Sequence, residues 1–220
     1  MNQLRLYYLQ QLGIKPWVVR DSTDSAQVTL TKPCAVTELT SLLENVASCT
    51  KCSLHATRTQ TVFARGNPKA KLMIIGEAPG FYEDKQGMPF VGKAGTLLNR
   101  MLASIGMSED DVYIANVLKC RPPDNRDPQL DEIQQCSGYL TQQIRMINPN
   151  VLLAVGRFAG HFLLQQALPL SKMRNISHSY ENKPVFVSYH PAYLLRNPAD
   201  KSKAYGDLLR VKQKLNELAG

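Results

Sequence analysis

Between residues 71 and 189 the chain alternates short, nearly continuous apolar runs with longer stretches whose apolar residues return every third or fourth position. Lys71-Leu72-Met73-Ile74-Ile75, closed by Gly76, is the first run. Val112 to Leu118, Val151 to Val155 closed by Gly156, and Pro184 to Tyr189 follow. Continuous runs this short, bounded by turn formers, predict strands buried on both faces. Helical spacing marks Gly95 to Ile105 (Leu97, Leu98, Met101, Leu102), Asp131 to Ile147, Arg157 to Gln166, and a last helix burying Leu208, Val211, Leu215 and Leu218. Strands alternating with helices predict an α/β fold with a parallel sheet covered on both faces. Sites in such sheets lie beyond the carboxyl ends of the strands. That rule points to the segments after Ile75, Leu118 and Tyr189.

Upstream, Leu4, Tyr8 and Leu12 share a helical face within residues 1–19, and Gly13 stops it. Residues 20–36 are mostly polar and read as a linker. A helix with Leu39, Leu42, Leu43 and Val46 then runs into Cys49. We therefore expect residues 1–36 to form an extension and linker, and residues 37–220 to form one domain. No apolar run reaches the length that spans a bilayer, and Met1 to Leu12 lacks a signal-peptide core, so the expected location is cytoplasmic. The formal charge of +8 favours polyanions such as nucleic acid. Charge alone leaves a basic protein without an anionic partner equally open.

There are five cysteines, Cys34, Cys49, Cys52, Cys120 and Cys136. The odd number, without a secretion signal, argues against a disulfide framework. Cys49 and Cys52 form a C-x2-C pair, and Cys120 and Cys136 stand far downstream. Four thiolates can hold zinc or a four-iron cluster. The stretched second half tilts the choice toward iron–sulfur, while two unrelated buried cysteines remain the plainer alternative. Cys34 falls in the linker as a bystander.

Gly87-Met88-Pro89-Phe90-Val91-Gly92-Lys93-Ala94 nearly fits the G-x4-G-K-[ST] phosphate loop, but Ala94 lacks the hydroxyl that binds Mg2+ and the segment follows no strand. More informative is Gly76-Glu77-Ala78-Pro79-Gly80, a tight turn at the end of the first strand that puts Glu77 where a site is expected. A solvated turn glutamate is the alternative. Phe90, between Pro89 and Val91, is either core or a stacking platform. Asn116, an amide inside an apolar strand, needs partners and can both donate to and accept from a base edge. His190 to Pro198 combines a titratable ring, apolar tips and a cation, a mixture suited to a loop that touches DNA. His55, His161 and His178 read as structural or exposed.

These segments closely resemble the family 4, iron–sulfur uracil-DNA glycosylases. The resemblance runs from Cys49 to about Leu218. It rests on Cys49-x2-Cys52, Gly76 to Gly80, Glu83-Asp84, Gly87 to Gly95, Asn116 with Lys119-Cys120-Arg121-Pro122-Pro123, Cys136, and His190 to Pro198. It implies a three-layer α/β/α sandwich around a four-stranded, mainly parallel sheet. It implies a structural 4Fe-4S cluster on Cys49, Cys52, Cys120 and Cys136. It implies excision of uracil from single- or double-stranded DNA by a monomeric, nucleoid-associated enzyme that leaves an abasic site. By that resemblance Phe90 stacks on uracil, Asn116 reads its edge, and Glu83 crowds the position of a thymine methyl. Leu194, with Tyr193, fills the vacated stack, and Lys93, Arg121 and Arg196 neutralise phosphates. His190 is the donor to uracil O2. The first motif has Ala78 where many relatives carry a water-positioning Asp, so Glu77 or Asn125 takes that task. The His190 loop lacks the Arg-rich insertion of the DNA-crosslinking relatives, which argues for turnover. The rival readings are a non-catalytic DNA-binding module with a redox-sensing cluster, and a zinc protein.

Overall fold

The predicted apolar runs become the central strands of one sheet. In the computed structural model, which describes residues 35–220, the chain forms α1 (Ala35–Ala47), β1 (Arg65–Gly66), β2 (Leu72–Gly76), α2 (Phe81–Gln86), α3 (Lys93–Ala103), β3 (Val112–Asn116), α4 (Leu130–Ile147), β4 (Val151–Val155), α5 (Arg157–Leu164), α6 (Leu170–Met173), β5 (His178–Tyr180), β6 (Lys183–Ser188), α7 (Pro191–Arg196) and α8 (Lys201–Glu217). The helix expected over residues 1–19, the linker up to residue 34 and Cys34 lie outside the described residues. The unit from Pro33 to Gly220 contains everything described below.

The four expected strands are β2, β3, β4 and β6, and they pair in parallel in the order β3-β2-β4-β6. The expectation of four strands is nevertheless corrected, because the sheet has six. β1 adds antiparallel to β3 at one edge and β5 antiparallel to β6 at the other. Pairs of two and three residues carry no apolar run, so their pairing is decided by backbone groups that a sequence pattern does not report.

β2, β3 and β4 are buried at every position, as strands covered on both faces must be. On one face Met73, Ile75, Tyr113, Ala115, Leu152 and Ala154 pack with Leu140 and Ile144 of α4 and Ala159 and Leu163 of α5. On the other, Leu72, Ile74, Ile114 and Leu153 pack with Leu98 and Leu102 of α3 and Leu208 and Val211 of α8. Each such buried aliphatic side chain contributes roughly 1.5–3 kcal/mol.

The chain steps from β2 sideways to β3 through α2 and α3, then crosses through α4 to β4 on the opposite side of β2. The two connections leave in opposite directions, so their helices fall on opposite faces, and a crevice opens beyond the carboxyl ends of β2 and β4. The residues at that crevice are Glu77 after β2 and Arg157 after β4. The end of β6 is pinned beside it. Ser188 Oγ donates to Asp207 (2.7 Å), which also accepts from Arg174 at 2.8 and 2.9 Å. Arg174 in turn donates to the Tyr189 hydroxyl (3.0 Å), and the Tyr189 ring stacks on Tyr193 with centroids 5.3 Å apart.

Candidate active site

A cavity of about 630 Å³ opens at that crevice, and Glu77, Ala78, Glu83, Phe90, Asn116, Asn125, His190, Tyr193 and Arg196 all line it. Four separate segments of the sequence thus meet in one hollow. The back wall is the tightest part. An added Cβ on Gly76 would stand 2.3 Å from Asn116 Oδ1 and 2.7 Å from the Phe90 ring, so both side chains lie directly against the end of β2. Phe90 itself is held in a left-handed conformation, φ 56°, which a bulky residue rarely adopts. Its ring lies 5.6 Å from that of His190, tilted by 32°. Asn116 is 2% exposed, and its Oδ1 is buried with no hydrogen-bond partner among the described residues. An orphaned buried acceptor costs about 1–3 kcal/mol, which is the mark of a group kept for a ligand.

His190 caps α7: its Nδ1 accepts from the Ala192 N–H at 3.1 Å. The proton of the neutral ring is therefore on Nε2, free to donate. Burial, aided by Arg196, pushes the pKa of the ring down to about 4. Glu77 is moved the other way. Burial, with help from Asp127, raises its carboxyl to about 7, against the opposing pull of Arg157. Arg157 is ion-paired with Asp127, which blunts that pull. The sequence reading missed this pair, because nothing in the spacing of Asp127 and Arg157 brings them to Glu77.

Other expected site residues are placed with differences. One Glu83 oxygen, Oε1, accepts from the N–H groups of Val91 (3.1 Å) and Gly92 (3.2 Å), so this side chain also anchors the approach to α3. Asn125, at φ 54°, accepts from Arg121 Nε through Oδ1 (2.8 Å), which orients its amide. Arg121 also lies over the exposed Phe81 ring (5.2 Å). Lys93 and Arg196 are exposed. Leu194 differs in exposure from its neighbours. It is fully buried, whereas Tyr193 (36%) and Leu195 (45%) are exposed. Successive residues of a helix point about 100° apart, and the sequence did not say which of Leu194 and Leu195 faces the solvent.

Phe90 depends on Gly95. A Cβ there would stand 1.6 Å from the Phe90 carbonyl oxygen, too close for any rotamer change to relieve. We expect Gly95→Ala to displace the Phe90 backbone and to cost about 1–3 kcal/mol, as overpacking does. Thermal unfolding should fall by several degrees, and an unchanged melting temperature would contradict this packing.

A second, smaller cavity lies behind the strand ends, lined by Cys49, Cys52, Cys120 and Cys136 with Arg58, Lys119 and Tyr139. It brings the C-x2-C pair and the two distant cysteines together. Among the described residues no three His, Cys, Asp or Glu side chains close on a point as they do around a single ion. Arg58 donates to the Cys120 sulfur (3.1 Å) and the Lys119 N–H to the Cys136 sulfur (3.2 Å). Donors aimed at sulfurs, beside four thiols that line one small hollow, suit a thiolate-bound group. No helix among the described residues is long and apolar enough to cross a membrane.

A profile of the uracil DNA glycosylase superfamily matches residues 63–210. The chain is 42% identical over 190 residues to a type-4 uracil-DNA glycosylase of Archaeoglobus fulgidus, covering 83% of this chain and 94% of that one. It is 43% identical over 160 residues to a type-4 uracil-DNA glycosylase of Thermotoga maritima, covering 72% and 83%. A type-4 uracil-DNA glycosylase of Sulfurisphaera tokodaii is 42% identical over 184 residues, covering 80% and 84%. With its crevice, its orphaned amide and its four gathered thiols, the chain belongs to the uracil-DNA glycosylase superfamily and, within it, to the type-4 group.

Proposed function

We propose that this protein is a monofunctional uracil-DNA glycosylase that hydrolyses the glycosidic bond of an everted deoxyuridine. The observation behind the site assignment is the unpartnered Asn116 Oδ1, set in one cavity with Phe90 and His190. Everting a nucleotide costs a few kcal/mol, so the pocket must repay it with contacts a paired base does not make. Phe90 stacks on uracil. The Asn116 amide accepts from N3–H through Oδ1 and donates to the neighbouring carbonyl. As the bond breaks, negative charge gathers on uracil O2, and the Nε2–H of neutral His190 meets it. Ionised Glu77 orients water or opposes the positive charge developing on the sugar, with Asn125 beside it. Glu83 excludes the thymine methyl. Lys93, Arg121 and Arg196 meet phosphates. Tyr193 and the exposed Leu195, rather than buried Leu194, enter the stack.

Cys49, Cys52, Cys120 and Cys136 would hold a 4Fe-4S cluster, which supplies a covalent cross-link between the 49–58 loop, the turn after β3 and α4. Residues 37–220 would then form the glycosylase domain, acting as a monomer on cellular DNA in the cytoplasm. A DNA-binding module without catalysis has no use for an unpartnered amide beside a neutral imidazole.

The test is base release from oligonucleotides carrying U:G, U:A or unpaired uracil. Iron-replete protein should leave alkali-labile sites in EDTA, without Mg2+. Intact strands after prolonged incubation would overturn the enzymatic reading.

A further inference from the structure

Lys119 is the largest of the fully buried side chains, at 1% exposure, and it is a cation. Its Nζ donates to Gln143 Oε1 (2.6 Å), the Asn116 carbonyl (2.8 Å) and the Phe63 carbonyl (3.4 Å). All three acceptors are neutral, and among the described residues Lys119 joins no salt bridge with a carboxylate. A buried charge without an opposite charge is unfavourable, and removing water strengthens whatever field reaches it. The groups nearby that can carry negative charge are sulfurs: Lys119 lines the same cavity as Cys120 and Cys136, and its backbone N–H donates to the Cys136 sulfur at 3.2 Å. Arg58, which donates to the Cys120 sulfur, is half-buried and reaches the same cavity from its outer side. Four thiolates on a four-iron core carry net negative charge. Cations and hydrogen bonds around such a group tune its potential.

We infer that Lys119 is the fixed internal counter-charge of the cluster and raises its reduction potential. The inference rests on the cluster reading given above. An added electron is stabilised by a nearby cation, so removing that cation makes reduction harder and the potential more negative. The alternative is that Lys119 is only a hydrogen-bonded strut between Asn116 and Gln143.

The experiment uses the full chain purified without oxygen, with iron and sulfide measured first, and an EPR-monitored redox titration of the cluster. Lys119→Met should shift the one-electron equilibrium at least tenfold toward the oxidised form, a change of 59 mV. Lys119→Arg should stay near the parent value. Lys119→Gln keeps a hydrogen-bond donor in place of the ammonium but carries no charge; it should also shift the potential downward. A strut that needs only a donor would leave the potential near the parent value. If Lys119→Met fails to load, Lys119→Gln decides. Loaded variants with the parent potential overturn the inference and leave the cluster reading standing. Parent protein without iron or sulfide overturns both, and uracil release in the same samples reports on catalysis independently.

Discussion

His190→Ala is expected to lower kcat for uracil release by about 10²–10³, with a much smaller change in KM. The size follows from where the donor acts. A group that meets charge present only in the transition state is worth about 3–4 kcal/mol of barrier, while the uncharged ground-state base gains little from it. The direction follows from the ring's environment. Nδ1 is occupied by the Ala192 N–H, so Nε2 must bear the proton of the neutral ring. The pKa of about 4 keeps the ring neutral through the physiological range. A neutral donor costs less to bury than an imidazolium and still polarises the carbonyl. Loss of the cap on α7 will reduce stability by about 1 kcal/mol, so the rate should be measured well below the melting temperature. Single-turnover rates within threefold of the parent would remove His190 from the mechanism.

The second large effect is on pH. With a carboxyl at about 7, Glu77 loses its charge as the solution is acidified, and the rate should fall close to tenfold per unit below that value. At pH 5 release should be on the order of 10²-fold slower than on the alkaline plateau, by simple titration of one group. His190 does not contribute in this range, since its own transition lies near 4. Glu77→Gln should give a low, flat profile. The sign on stability is opposite. The folded protein holds the Glu77 proton up to about 7, while the unfolded chain releases it near 4.5, so folding loses stability as pH rises between these values. Glu77→Gln should therefore melt higher than the parent at pH 8, with the difference vanishing by pH 4.5. A glutamine variant that is both slower and more stable is the signature of a carboxylate kept for chemistry. A parent rate independent of pH between 5 and 8 would remove Glu77 from the rate-limiting step.

Much of the scaffold was legible because burial on two faces leaves a mark in one dimension. The runs at 72–76, 112–116 and 151–155 are apolar at nearly every position, and no surface element tolerates that. Rules of connection then placed the site at strand ends before any contact was known. The edge strands β1 and β5 left no such mark, since a short exposed pair is held by backbone hydrogen bonds common to all residues. The gathering of Glu77, Phe90, Asn116 and His190 was anticipated from motifs in a characteristic order.

Local chemistry, by contrast, was settled only by distances through space. The sequence could name Glu77 but not its protonation, which depends on burial and on an Asp127–Arg157 pair formed between a loop and the first residue of α5. It could name Leu194 and Leu195 but not which one a single helical turn would bury. It gave no reason to notice Lys119, whose meaning comes from three neutral acceptors around its ammonium and its place in the lining of the cysteine cavity. Residue order determined which groups exist and on which strand each stands, because pattern and period act along the chain. The pKa values, the orphaned acceptor and the buried cation belong to the tertiary structure, because electric fields and desolvation are set by what lies nearby, whatever its place in the chain.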